Sequence, residues 1–308
     1  MTHSQHLPLI TILGPTASGK TKLAVSLAKE FSGEIISADS RQVYRHMDIG
    51  TGKDLREYGT TPYHLIDIVN PNQEYNLFQF AQGFLSCFQR ITDQKTIPFL
   101  VGGTGMYLDS VLSRYALTIA NTSQNAREQY EKKCKTELIA ILGKLKPELH
   151  NQTDLIDTDR IIQAIIVAEA EHEKRSTLEW PEMDNLIIGL KLSRDERRAR
   201  ITSRLKARIE EGLIEEIAFL HEQYLSWEQL DNFGLEYRYV SQYVRGNINL
   251  NDMYQKLNSA IHRFAKQQEK WFRNIEKKGH KIEWVDCSVD PKSAAKCLIE
   301  KYLQNIRP

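Results

Sequence analysis

An α/β fold is what this sequence predicts: a mostly parallel sheet flanked by helices, with an inserted all-helical subdomain. Three observations predict it. Short apolar runs alternate with segments of helical period over roughly the first third of the chain. Two of those runs lead into glycine-rich turns. Between Ala116 and Asn185 the apolar residues recur at helical spacing and no strand pattern is found. The expected division is a catalytic core of residues 1–115 and 186–308, with residues 116–185 inserted.

The first apolar run, Leu9–Leu13, reads as a buried strand. It leads into Gly14-Pro15-Thr16-Ala17-Ser18-Gly19-Lys20-Thr21, which fits G-x-x-x-x-G-K-[ST] in full. Leu23, Val25, Leu27, Ala28 and Phe31 then recur as one helix face. Strand, glycine loop and helix make a phosphate cradle, so the sheet is expected to be P-loop NTPase-like. Glycines let backbone N–H groups converge on one point, and the helix N-terminus adds its positive dipole end. Lys20 supplies a point charge for phosphate oxygens, and the Thr21 hydroxyl is placed to bind Mg²⁺.

A second strand, Glu34–Ala38, ends in Asp39. A carboxylate at the C-terminal end of a strand beside a phosphate loop sits where open α/β sheets carry their chemistry. Asp39 is a candidate general base, Mg²⁺ partner or cap of the following turn. Met47–Lys53 reads as a functional loop near the phosphates, with a plain surface turn as the alternative. Tyr63–Ile68 reads as a strand in which His64 is a satisfied core or edge residue, and Leu77, Phe80, Phe84, Phe88 and Ile91 as one helix face. The strand Ile97–Val101 meets a second glycine turn, Gly102-Gly103-Thr104-Gly105. That turn brings backbone N–H groups to the same sheet edge or serves close strand–helix packing. No acidic residue ends this strand, which disfavours ATP hydrolysis.

In the insertion, Ala126, Tyr130, Cys134, Leu138 and Ile141 suggest one helix ending near Gly143 and Pro147. A second, with Ile161, Ile162, Ile165, Ile166 and Ala170, is entered through Asp157-Thr158-Asp159. Leu186–Leu190 returns to the core as a strand, and Ser193-Arg194-Asp195-Glu196 has the form of a capping box. The helix it opens is expected to turn Ile201, Leu205, Ile209, Leu213, Ile217 and Leu220 inward. A last long helix, from about Asn251 to Lys278, has Leu257, Ile261, Phe264, Trp271 and Ile275 as its expected core face, and Ile282–Val285 is a final strand.

The 308 residues carry a formal net charge of +1, so only its distribution bears on partners. Lys191–Glu210 holds eight Lys or Arg against three acids, and Lys256–Lys281 eight against two. Such segments suggest a polyanion surface or, equally, two solvated helix faces. The scattered Cys87, Cys134, Cys287 and Cys297 read as reduced thiols. No run of about 18 apolar residues is present and Met1–Pro8 lacks an apolar core, so a cytoplasmic protein without membrane segment or secretory signal is expected.

Taken together, Gly14–Thr21, Asp39-Ser-x-x-x-Tyr44, Met47–Lys53, His64–Ile68 and Val101-Gly-Gly-Thr-Gly-x-Tyr107-Leu108 resemble the tRNA dimethylallyltransferases in order and spacing. The likeness extends over nearly the whole chain, through Arg160, Glu211–Glu216 and Gln267–Arg273. It implies transfer of dimethylallyl from dimethylallyl diphosphate to N6 of the adenosine just 3′ of the tRNA anticodon, with Mg²⁺. It also implies Asp39 as base, Gly14–Thr21 around the diphosphate, and Asp39, Ser40, Arg41, Gln42, Thr104, Arg127, Arg160 and Gln163 toward the tRNA. The helical insertion would grip the anticodon stem, and a monomer is expected. The chain departs from the family pattern at Gly52, Asp54, Gln163, Asn232-Phe233-Gly234 and Glu236. Enzymes that prenylate free AMP, ADP or ATP, and small-molecule kinases, are the competing classes.

Overall fold

The computed structural model describes residues 7–118, 124–146, 158–172 and 177–306. The chain divides into two compact units, residues 1–114 with 181–308, and residues 115–180.

The larger unit is built on six parallel strands: β1 (Leu7–Leu13), β2 (Gly33–Ala38), β3 (Tyr63–His64), β4 (Ile97–Gly102), β5 (Met183–Lys191) and β6 (Ile282–Asp286). Their order across the sheet is β3-β2-β4-β1-β5-β6. The central strands are apolar on both faces because helices cover both. On one side α1 (Lys20–Glu30) and the C-terminal helix Pro291–Ile306 pack on Ile10, Ile12, Ile35, Phe99 and Ile188. Two further helices precede the second unit: α2 (Leu77–Asp93), opened by an Asn76/Gln79 capping box, and α3 (Gly105–Leu112).

Tyr63–Ile68 is a strand only at Tyr63 and His64. Leu65 and Asp67 take left-handed backbone, with φ of 62° and 56°, and this turns the chain so that Asp67 reaches Lys53. His64 is satisfied, as expected: Nε2 meets Glu34 Oε2 at 2.6 Å and Arg90 Nη2 donates to Nδ1 at 2.8 Å.

The smaller unit holds α4 (Gln124–Glu131), α5 (Lys135–Leu145) and α6 (Thr158–His172) around Leu138, Leu142, Ile161 and Ile165. The single helix expected over Ala126–Ile141 is therefore two. Cys134 interrupts it, with its N–H held by the Glu137 carboxylate at 2.8 Å at the start of α5. Gly143 lies inside α5, and Pro147 and Asp157 lie outside the described residues.

After β5 come α7 (Arg194–Glu210), α8 (Leu213–Gln223), α9 (Trp227–Phe233), α10 (Leu235–Val244), α11 (Leu250–Lys277) and, beyond β6, α12 (Pro291–Ile306). The Ser193/Glu196 capping box opens α7. Ile201 through Leu220 are not one helix, because Gly212 at φ 106° breaks α7 from α8. On α11, Phe264 is 42% exposed, and Ala265, Gln268 and Phe272 take the inward positions. Helices α7 to α11 enclose a second core around Val43, Met47, Leu205, Leu213, Tyr237 and Leu257.

Candidate active site

The phosphate loop leaves β1 at its C-terminal end and wraps the start of α1. A Cβ on Gly14 would lie 2.9 Å from Ser18 Oγ and 3.0 Å from Leu190 Cβ, so the first glycine is set by packing. Ala17 and Gly19 take positive φ, 61° and 87°. The N–H groups of Lys20 and Thr21 lie in the first turn of α1, where a helix has no internal acceptor for them. Ser18 Oγ is buried without a hydrogen-bond partner, a polar group left available on this loop.

Lys20 Nζ folds back to donate to Pro15 O at 2.9 Å. Desolvation first, then the charge of Arg204, lowers its pKa from 10.5 to about 8. Lys20 and Thr21 border a cavity of about 520 Å³ whose opposite wall is Arg200, Ser203 and Arg204 of α7. Asp54 and Glu57 line the same cavity, and Arg204 Nη2 donates to Asp54 Oδ2 at 2.7 Å. Burial and the neighbouring Asp54 push the Glu57 carboxyl above its usual range. Arg200 and Arg204 were legible only as members of a basic run. Their i,i+4 spacing on one helix is the signal that places them side by side.

Asp39 follows β2 directly, and its Oδ1 accepts the Arg41 N–H at 2.9 Å. Ser40 N–H donates to Thr104 Oγ1 at 3.1 Å, which ties this turn to the one after β4. Gln42 is buried; its amide accepts from Ser37 Oγ at 3.1 Å and donates to Gly52 O at 3.2 Å. The Arg41 guanidinium lies 6.0 Å from the Phe233 ring centre and donates to Asn232 O at 3.5 Å. The second glycine turn serves close packing: a Cβ on Gly102, Gly103 or Gly105 would fall 2.2 Å from Ala38 O, 2.5 Å from Gln268 Nε2 and 2.4 Å from Trp271 Cγ.

The Met47–Lys53 loop is braced from within. Lys53 is fully buried and its Nζ donates to Tyr44 O and Asp48 Oδ1, each at 2.6 Å, and to Asp67. Glu216 of α8 accepts the N–H groups of Asp48, Ile49 and Gly50 at 2.8, 2.6 and 2.9 Å, and the Tyr237 hydroxyl at 3.0 Å. The loop's lysine is thus committed to the protein, while Asp54 just beyond it reaches the cavity wall.

Gly14–Thr21, Asp39–Gln42 and Thr104 all belong to the larger unit, and Arg127, Arg160 and Gln163 to the smaller. Arg127 pairs with Asp159 at 2.6 Å and Glu131 at 3.2 Å. The basic run on α7 is only partly a surface: Arg197 pairs with Glu269, and the buried Arg208 with the half-buried Glu236 at 3.5 Å. Among the described residues no group of three or more His, Cys, Asp or Glu could hold a metal, and no helix is long and apolar enough to cross a membrane.

The IPP transferase family model matches residues 42–275, and an isopentenyl transferase model matches residues 7–62. The chain belongs to the IPP transferase family. Among IPP transferase relatives, it is 50% identical over 303 residues to "tRNA dimethylallyltransferase 2" of Trichlorobacter lovleyi, covering 98% of this chain and 99% of that one. It is 51% identical over 283 residues to "tRNA dimethylallyltransferase 1" of Geotalea uraniireducens, covering 92% and 94%. The crystal structure of a full-length tRNA isopentenylpyrophosphate transferase from Bacillus halodurans aligns with a TM-score of 0.70 at 31% identity, over 97% of this chain and 96% of that one. A eukaryotic dimethylallyltransferase acting on tRNA shares the fold at TM-score 0.81 and 23% identity, over 98% and 80%.

Proposed function

We propose that this IPP transferase moves a dimethylallyl group from dimethylallyl diphosphate to N6 of the adenosine on the 3′ side of the anticodon, position 37 of a tRNA. The observation that carries the reading is the pairing of an anion cavity with a carboxylate. Lys20, Thr21, Arg200 and Arg204 border the cavity, and Asp39 ends the β-strand one place removed from the phosphate-loop strand.

In the reaction the allylic C–O bond breaks, its electron pair leaves with the diphosphate, and a new C–N6 bond forms. Negative charge grows on the departing oxygen. Lys20, protonated below about pH 8, and the N–H groups of the loop meet that charge, with the guanidinium of Arg204 opposite. The adenine amine must lose a proton as it attacks, and Asp39 receives it. The Asx contact to Arg41 N–H and the tie from Ser40 to Thr104 fix the carboxylate for that transfer. A loop nucleotide is reached by turning it out of the stack. Ser40 and Arg41 then lie beside the extruded base, Gln42 braces the turn from beneath, and Arg127, Arg160 and Gln163 of the smaller unit contact the anticodon stem.

Mg²⁺ fits the residues present. The Thr21 hydroxyl borders the cavity at the phosphate loop, Ser203 adds a second on the opposite wall, and a diphosphate supplies further oxygens, the partial shell that Mg²⁺ accepts. Held there by Thr21 beside the diphosphate, Mg²⁺ would supply positive charge against the leaving group. We propose further that the protein acts in the cytoplasm and as a monomer.

The test incubates purified protein with dimethylallyl diphosphate, Mg²⁺ and, separately, unmodified tRNA, AMP or ATP, with mass spectrometry of the nucleosides. A gain of one dimethylallyl on an anticodon-loop adenosine, absent with free nucleotides, is expected. Transfer to AMP or ATP alone would assign the free-nucleotide reaction instead. Nucleotide turnover without prenyl transfer would make the protein a kinase.

A further inference from the structure

Gln268 lies on α11, far from both glycine turns in sequence, and is 6% exposed. Its side-chain oxygen accepts the Thr16 N–H at 2.8 Å, and its amide nitrogen donates to Gly103 O at 2.9 Å. A neutral amide can do both, because it carries an acceptor and a donor on one rigid plane. The connection continues beyond Gly103. Thr104 N–H donates to Ala38 O at 3.3 Å, Thr104 Oγ1 accepts the Ser40 N–H, and Asp39 Oδ1 accepts the Arg41 N–H. One side chain therefore joins the phosphate loop to the turn that carries Asp39. The sheet joins only the strand ends, through Gly102 of β4, which pairs with Leu13 and with Ala38; Gln268 ties the phosphate loop beyond its strand end to the turn after β4.

We propose that Gln268 is a positioning residue that sets the separation between the diphosphate cradle and Asp39. The inference rests on the proposed transfer, in which Asp39 takes the N6 proton while the C–O bond to diphosphate breaks. Both events need fixed atoms, and a displacement of about 1 Å in such a site costs roughly 10²-fold in rate. Gln268 touches neither substrate. It holds the two loops that do.

Gly103 gives an independent handle on the same contact. A Cβ there would meet Gln268 Nε2 at 2.5 Å, whereas the next protein atom, Gly14 O, is at 3.3 Å. Gly103→Ala must push the amide away, and Gln268→Ala vacates the space. The experiment measures kcat and both KM values for tRNA prenylation in the unaltered protein, Gln268→Ala, Gly103→Ala and the double variant. Thermal melting and calorimetric binding of inorganic diphosphate with Mg²⁺ accompany each. Expected are kcat losses of about 10- to 100-fold in each single variant, KM values within about 3-fold, and a double variant no slower than the slower single one. Gln268→Glu keeps the length and the acceptor but loses the donor to Gly103 O. It carries the same test if the alanine variant melts early, and is expected to lose kcat as well. Unchanged kcat, a loss confined to the KM for diphosphate, or additive losses in the double variant would overturn the inference and leave the function standing. No transfer by the unaltered protein would overturn the function and the inference together.

Discussion

In the proposed reaction Asp39 has two jobs, base and acceptor of the Arg41 N–H, that one substitution cannot separate and two can. Asp39→Ala removes the base and also the acceptor for the Arg41 N–H, so the turn loosens with it. Asp39→Asn keeps an oxygen for that N–H and removes only the basicity. Both are expected to lower single-turnover transfer by about 10²–10⁴-fold, with tRNA affinity held within a few-fold in the asparagine variant. Near-normal transfer by Asp39→Asn would remove Asp39 from the chemistry. Lys20 sets a pH limit. Its pKa is lowered to about 8 in the free protein, so above that pH the neutral amine predominates. In the proposed reaction diphosphate binds the charged form, so binding above that pH must take up a proton. The kcat/KM for dimethylallyl diphosphate is therefore expected to be flat below about pH 8. It should fall by about tenfold per pH unit above, approaching the limit for a single proton. Gly14–Thr21 and Asp39 were legible in the sequence because a motif within eight residues, or at a strand end, specifies them locally. Gln268 is legible in the sequence only as part of a helix motif, and the Met47–Lys53 loop gives no sign there that its lysine is buried. The partners that define both residues lie elsewhere in the chain: Thr16 and Gly103 for one, Asp48, Asp67 and the Tyr44 carbonyl for the other.

At the scale of elements, the Met47–Lys53 loop shows what holds one wall of the cavity. Its lysine is buried between two carboxylates, and the N–H groups of residues 48–50 converge on Glu216 of α8. Lys53→Met leaves the buried Tyr44 carbonyl and Asp67 without their cation. A loss of about 3 kcal/mol in urea unfolding is expected, near the lower end for a broken buried pair, because Asp48 and Asp67 keep access to water. A change below about 1 kcal/mol would show that the loop is held by Glu216 alone. Strands β1, β2, β4 and β5 were readable because their two covered faces demand continuous apolar runs. Helix breaks were not. The i+4 spacing of Leu205, Ile209, Leu213 and Ile217 runs straight through Gly212, since α8 packs its apolar side into the same core as α7. Phe264 failed for a related reason: α11 faces its neighbours with Ala265 and Gln268, small or polar residues that a hydrophobic pattern passes over.

For the molecule as a whole, the net charge of +1 hides a division of labour among arginines. Arg197 and Arg208 are buried and paired with acids, Arg204 pairs with Asp54 on the cavity wall, and Arg194 and Arg198 face solvent on the same helix. Titrations across salt concentration should separate them. Arg194→Ser and Arg198→Ser are each expected to reduce the slope of log affinity for tRNA against log salt by about one, and Arg197→Ser to lower the melting temperature instead. A tRNA affinity indifferent to salt would rule out α7 as a phosphate-facing surface. The strand order has a different kind of consequence, one that concerns synthesis. β1 emerges from the ribosome before every other strand yet lies between β4 and β5, and β5 is translated only after the whole smaller unit. For more than half of the chain's length, the strand that leads into the phosphate loop has an unpaired edge. The nascent polypeptide thus carries its most apolar template exposed the longest, and a chaperone that shields β1 until β5 appears is the helper such a topology would reward.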